Sequence, residues 1–206
     1  MKKYYVKDGM TKAGGFVKRT VDILVSFSAL VIASPLFVLC WLAIKIDDGG
    51  PAIFQQERIG RKGKPFTIYK FRSMRVDAEK DGPALYGHHL DTRMTRIGTF
   101  LRVHHLDELP QLYNVLRGDM SLVGPRPERK YYIDQIMEHD PRYVFLYQVR
   151  PGITSYATLY NGYTDTMEKM LRRLELDLYY LDHRGWWKDM KILAMTFLSI
   201  VLGKRF

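Results

Sequence analysis

Apolar and polar residues follow three different rhythms along this chain. From Val21 to Ile46 there is scarcely any alternation, and no charged side chain occurs between Ile23 and Ile44. A run of that length can cross a bilayer, yet its middle reads Ser34-Pro35, and proline removes a hydrogen bond from a helix interior. The stretch "AIFQQERIGRKGKPFTIYKFRSM" is rich in aromatic and β-branched residues and predicts two short strands around a Gly60 to Lys64 turn. Helical spacing dominates the rest. Ile97, Leu101 and Leu106 mark one helix, and Leu109, Leu112 and Leu116 a second one after Asp107. Another follows Pro127 and ends near Pro141. The clearest runs from Thr166 to His183, with Met170, Leu171, Leu174, Leu178 and Leu181 on one face and Gly185 closing it. Val76 to Thr92 and "RPGITSYATLYNGY" read as loops. The class is α+β, mostly helical.

Charge changes the reading of the apolar run. Lys2, Lys3, Lys7, Lys12, Lys18 and Arg19 precede it, and Lys45, Arg58, Arg61, Lys62 and Lys64 follow. Basic flanks stay on the cytoplasmic side, so a hairpin satisfies both flanks where one crossing cannot. Pro35 frees the Val31 carbonyl, and Ser34 can bond back to that of Leu30, which lets a helix turn inside lipid. The alternatives are a kinked single crossing and a cleaved signal peptide. The latter is disfavoured by the run's continuation into "LFVLCWLAI". A second apolar run, Ile192 to Leu202, is too short to span. Trp186, Trp187, Lys188, Lys191, Lys204 and Arg205 bracket it, as at a water–lipid boundary; a buried core helix is the alternative. Two units result: residues 1–46 as membrane segment and 47–206 as a domain at the membrane surface.

With 32 Lys and Arg against 22 Asp and Glu, the net charge of +10 favours anionic partners: nucleic acid, lipid headgroups or phosphorylated substrates. A hydrophobic content of 47% argues against a disordered chain. The single cysteine, Cys40, rules out an intramolecular disulfide. Neither GxxxxGK[ST] nor GxGxxG occurs, which withdraws support from P-loop and dinucleotide enzymes.

Candidate chemistry concentrates in "HHLDELPQLYNVLRGDMSLVGPRPE". Asp107 and Glu108 precede a helical pattern containing Pro110, and proline suits a first helical turn. The helix dipole there favours an ionised carboxylate, which can bind a divalent cation or attack phosphorus. Capping is the plain alternative. Arg126, held between two prolines in "GPRPE", presents a planar fork suited to phosphate, or else a surface ion pair. Lys70, Arg72 and Arg102 can add to an anion site. His88-His89 and His104-His105 suggest zinc, but adjacent helical residues face different ways and no cysteine accompanies them.

"YKFRSM", "LDELPQLYNVLRGDMSLVGPRPE", "RPGIT" and "ELDLYYLDH", in that order after an apolar segment with Ser-Pro, resemble the bacterial monotopic phosphoglycosyl transferases, also called bacterial sugar transferases. The resemblance runs from about Lys18 to Leu202 and is to the small form of the family. It implies a small α/β cytosolic catalytic domain with a short β-hairpin, interfacial amphipathic helices, and a re-entrant membrane helix broken at Ser34-Pro35. The site would lie on the cytoplasmic face of the bacterial inner membrane. The implied reaction transfers a phospho-sugar from a UDP-sugar to undecaprenyl phosphate with Mg²⁺, without nucleic acid. It is the first membrane step of glycan, exopolysaccharide or glycoprotein assembly. Asp107 would be the nucleophile of a covalent intermediate, with Glu108 acting through the metal or the acceptor's proton. Both would be metal ligands, and Lys70, Arg102 and Arg126 phosphate contacts. One stretch departs from the family's pattern: Ser155 to Gly162 stands where the family often has Gly-Trp-Ala-Gln-Val-Asn-Gly, which leaves the donor sugar open. A non-enzymatic, basic membrane-binding module is the competing expectation; it accounts for the charge but not for Asp107-Glu108 or Pro-Arg126-Pro.

Overall fold

The long apolar run is not one helix. In a computed structural model that describes residues 5–80, 82, 91–162 and 164–202, α1 (Lys12–Ile32) and α2 (Ser34–Asp48) meet at a 62° bend. Pro35 has no N–H for the Val31 carbonyl. The Ser34 hydroxyl donates to that same carbonyl at 2.8 Å, not to Leu30 as expected. The serine thus satisfies the acceptor that the proline exposes. Among the described residues no single helix is long and apolar enough to cross a membrane, but the bent pair together is. Both helices leave large apolar side chains uncovered, Phe27, Val31, Ile32, Val38 and Leu39 among them. The opposite face of α2 is packed: Cys40 and Ile44 join Ala52, Phe71 and Leu101 in one cluster.

β1 (Ile53–Ile59) and β2 (Pro65–Phe71) form the expected antiparallel hairpin, with Ile53 opposite Phe71 and Ile59 opposite Pro65. Next come α3 (Arg96–Val103), a 3₁₀ turn at Leu106–Glu108 and α4 (Gln111–Arg117). A three-residue strand, β3 (Ser121–Val123), leads to α5 (Lys130–His139) and a 3₁₀ segment at Pro141–Gln148. The chain closes with β4 (Gly152–Thr154), α6 (Tyr156–Asn161), α7 (Met167–His183) and α8 (Trp186–Val201). β3 and β4 pair in parallel, so the stretch read as a loop after Arg150 holds a strand and a short helix. Gly185 does not close α7; it is the N-cap of α8, and Arg184 caps α7.

α7 buries the predicted face, with Met170, Leu174, Leu178 and Leu181 against Ile133, Ile136, Tyr143 and Leu146. Contrary to a simple amphipathic stripe, it also buries Arg173 and Asp177. α8 buries Asp189 and Ile192 but exposes Trp187, Phe197 and Leu198. Lys2, Lys3, His88, His89, Lys204, Arg205 and most of the Val76 to Thr92 loop lie outside the described residues.

Candidate active site

The Asp107-Glu108 pair sits in a 3₁₀ turn, not at the start of an α-helix. The cause is Pro110. It cannot donate to the Leu106 carbonyl four residues back, so Leu109 N–H takes that carbonyl at 3.2 Å and the turn tightens. Before it, α3 ends at His104, and His105 adopts a left-handed conformation, φ 54°. That single residue reverses the chain and brings the pair back beside α3.

Three elements converge on Glu108. Lys70 Nζ, on β2, lies 2.8 Å from Oε1, and Arg126 Nη2 donates to the same oxygen at 3.3 Å. The register between β2 and α4 is set by Asn114, which is fully buried. Its side-chain oxygen accepts from Tyr69 N–H at 3.0 Å, and its amide donates to the Thr67 carbonyl at 2.7 Å. This double bond of side chain to strand places Lys70 opposite Glu108. The Pro-Arg126-Pro segment is tied down on both sides: the Pro125 carbonyl accepts from Gly152 N–H at 2.9 Å, and the Pro127 carbonyl from Arg58 at 3.4 Å.

The two carboxylates differ sharply. Burial disfavours ionisation of Glu108, but Lys70 and Arg126 outweigh it and hold the group well below the usual carboxylate range. Asp107 is buried, and its carboxylate accepts no hydrogen bond among the described residues. Burial pushes its pKa up; Lys70 pulls it down, Glu108 adds to the rise, and Arg102 and His105 oppose it. Desolvation thus works against the ionisation that a helix dipole would favour. Burial also lowers the Lys70 pKa, with Glu108 resisting.

Arg102 lies on α3 with a contact to the Met94 sulfur at 3.4 Å, and its field reaches Asp107. Arg72 is elsewhere: it is buried and paired with Asp48 at the end of α2. It ties the end of α2 to the residue that follows β2 and does not join Lys70, Arg126 and Arg102. His104 is exposed, with Nδ1 on the Phe100 carbonyl at 2.8 Å.

Sequence reading missed the layer beneath Arg126. Glu128 is buried and paired with Arg173 at 2.7 Å and Arg58 at 3.4 Å. Asp177 lies beside them, its pKa pushed up to about 7 by burial, with Arg173 opposing. Arg126, Tyr143, Arg173 and Asp177 share a small pocket. The signal was present in α7: Arg173 and Asp177, four apart, fall within its apolar periodicity, where a solvated charge has no place.

The residues also meet a test for magnesium. Among the described residues no three His, Cys, Asp or Glu side chains converge on one point. Mg²⁺ needs fewer: it is commonly held by one or two carboxylates together with substrate phosphates and water. The unbonded Asp107 carboxylate suits that role, whereas Glu108 Oε1 is already committed to two cations.

A family profile described as bacterial sugar transferase matches residues 13–203. A UDP-N-acetylgalactosamine-undecaprenyl-phosphate N-acetylgalactosaminephosphotransferase of Aeromonas hydrophila is 40% identical over 91% of this chain and 44% of its own length. A UDP-glucose:undecaprenyl-phosphate glucose-1-phosphate transferase of Klebsiella pneumoniae is 43% identical over 91% of this chain and 40% of its own. A protein of the same name from Caulobacter vibrioides is 42% identical over 89% of this chain and 69% of its own. The chain thus spans less than half the length of the first two relatives.

Proposed function

The chain belongs to the bacterial sugar transferase family, and from that premise we propose that it transfers a phospho-sugar from a UDP-sugar to a polyprenyl phosphate such as undecaprenyl phosphate. The products are a polyprenyl-diphosphate sugar and UMP. One observation carries the reading: Asp107 is buried with no hydrogen bond to its carboxylate among the described residues, beside a Glu108 that Lys70 and Arg126 hold ionised. A carboxylate without partners is available to a substrate; one held by two cations is not.

In the first half-reaction an Asp107 oxygen attacks the sugar-bearing phosphorus. The bond from that phosphorus to the bridging oxygen breaks, and this oxygen leaves with UMP. In the second, a phosphate oxygen of the polyprenyl phosphate attacks the same phosphorus and the Asp107 carboxylate departs. Each half uses one nucleophile and one leaving group, so a soluble donor and a lipid acceptor need not be bound together. Burial that raises the basicity of Asp107 also raises its nucleophilicity once ionised. Lys70, Arg102 and Arg126 offset charge on the transferring group. Asp107 would hold Mg²⁺ together with donor phosphate oxygens, and the ion would supply further neutralisation.

The bent α1–α2 pair serves as a re-entrant membrane hairpin, both ends facing the cytoplasm, and the exposed apolar face of α8 rests at the lipid boundary. Residues 1–46 and 47–206 are then the membrane segment and the catalytic domain of an enzyme at the inner face of the bacterial cell membrane. The relatives' names include both N-acetylgalactosamine and glucose donors, so a panel of UDP-sugars is the starting assay. With donor and Mg²⁺ but no lipid, the purified protein should release UMP in an amount limited by enzyme and gain the mass of one phospho-sugar. Asp107→Asn should abolish both. UMP release only in the presence of polyprenyl phosphate, with no adduct, would overturn the covalent route.

A further inference from the structure

The proposed site depends on one distance, that between Glu108 and Arg126. These residues reach it from different directions: Glu108 from the turn before α4, Arg126 from the segment after β3. Neither α4, of seven residues, nor β3, of three, is long enough to hold itself in place. α1 touches both. The Arg19 guanidinium donates to the Val115 carbonyl at 2.7 Å and the Leu116 carbonyl at 3.0 Å, in the last turn of α4. A cation there satisfies unpaired carbonyls and meets the negative end of the helix. Less than one turn further along α1, Asp22 is buried against β3. Ser121 Oγ donates to Oδ2 at 2.7 Å, and the Leu122 N–H donates to Oδ1 at 3.2 Å.

Among the described residues β3 is paired on one side only, by β4. The Leu122 N–H points to the open side, where a third strand would otherwise lie, and the Asp22 carboxylate takes that place. Lys18 completes the seam: its ammonium is 2.8 Å from Asp189 on α8 and 3.7 Å from Asp22, and Tyr180 on α7 donates to Asp189 at 2.7 Å. From Leu122 to Arg126 there is little slack. Gly124 N–H donates to the Thr154 carbonyl at 3.1 Å, and a Cβ on Gly124 would stand 2.4 Å from the Arg150 carbonyl oxygen. A displacement at Leu122 is therefore carried to Arg126.

We propose that Asp22 is a positioning residue, a carboxylate on the membrane-hairpin helix that sets β3 and through it the placement of Arg126 against Glu108. With Arg19 fastening α4, α1 becomes the gauge that spaces the two halves of the site. The seating of the hairpin and the geometry of the site are then one variable. This rests on the phosphoglycosyl-transfer reading above for its catalytic consequence, though not for its structural one.

The test uses the full chain in lipid nanodiscs and has two arms. In hydrogen exchange, Asp22→Asn keeps the size of the side chain but weakens the charge-assisted bonds to Ser121 and Leu122. Amides between Ser121 and Glu128 should exchange about tenfold faster than in the unaltered protein, the loss of roughly one such bond, with α7 amides unchanged. Unchanged exchange in this segment, or faster exchange throughout including α7, overturns the proposal whatever the activity. In turnover, Asp22→Asn should lower kcat about 10- to 100-fold, as expected for a misplaced charge. It should have no further effect in an Arg126→Lys background. An independent, additive loss in that background also overturns it. If the unaltered protein releases no UMP from any donor, the transferase reading fails, while the exchange arm still decides whether Asp22 positions the segment.

Discussion

The molecule contains the same arrangement twice. At the site, Glu108 stands between Lys70 and Arg126, next to Asp107, whose pKa is raised by burial. One layer below, Glu128 stands between Arg58 and Arg173, next to Asp177, whose pKa is raised by burial to about 7. Arg126 lies between the two and feels both glutamates. What differs is access. The Arg126 side chain is 38% exposed, that of Arg173 only 8%. A cation that water can reach tolerates the loss of its partner and can accept a phosphate instead. A sealed one cannot, and its ion pair serves to cross-link β1, the segment before α5, and α7. Composition does not separate the proposed catalytic cluster from the one below it; the route to solvent does.

That difference sets the largest expected effect. Glu108→Gln should lower turnover by about a thousandfold, in the range for removal of an electrostatic or proton-handling group. The melting temperature should barely move, because Arg126 is free to hydrate. Glu128→Gln should do the reverse. It leaves Arg173 buried, and Arg58 half-buried, without the Glu128 carboxylate, which costs about 3 kcal/mol of stability. Urea titration and initial rates on the two variants give the comparison directly. A stable, inactive Glu128→Gln protein would mean that the lower cluster takes part in catalysis.

Next in size is Gly98→Ala on α3. A Cβ there would lie 1.9 Å from the Ser73 carbonyl oxygen, which is backbone and cannot swing aside. Overpacking of this kind costs about 1–3 kcal/mol, and α3 carries Arg102 towards Asp107. Both stability and turnover should fall, whereas Gly15→Ala, with open space around it inside α1, should leave turnover unchanged and raise stability by about 0.5–1 kcal/mol.

Some of this could be read from the chain and some could not, for physical reasons. Local patterns carried the β1–β2 hairpin, the α7 stripe and the break at Ser34-Pro35, because each depends on residues a few positions apart. Asn114 meets Thr67 and Tyr69, Glu128 meets Arg58 and Arg173, and Asp22 meets Ser121. These partners lie tens of residues away, and of them only Arg173 is marked, by its place within the apolar stripe of α7. Arg72 shows the converse. As a basic residue near Lys70 it is expected to add to an anion site, but β2 ends at Phe71 and the Asp48 carboxylate captures it.

The smallest effect is the one most particular to the lower cluster. Asp177 is 2% exposed, and its Oδ1 has no hydrogen-bond partner in the structure. Its pKa is about 7 in the fold, against an ordinary value of 3.8. Because the folded value is raised, the folded state holds a proton that the unfolded state has already released between those limits. Stability therefore falls as pH rises from about 4 through 7, and levels off above. The full shift corresponds to roughly 4 kcal/mol. Asp177→Asn removes the titration but leaves two amide N–H donors to be placed, which takes back part of the gain. The variant should fall below the unaltered protein by about 2 kcal/mol near pH 4 and exceed it by about 2 kcal/mol at pH 8. Chemical unfolding at both pH values measures this. A difference that does not change with pH would mean that Asp177 is ionised throughout, held by Arg173 in the way Lys70 and Arg126 hold Glu108, and the contrast between the two clusters would vanish at that residue.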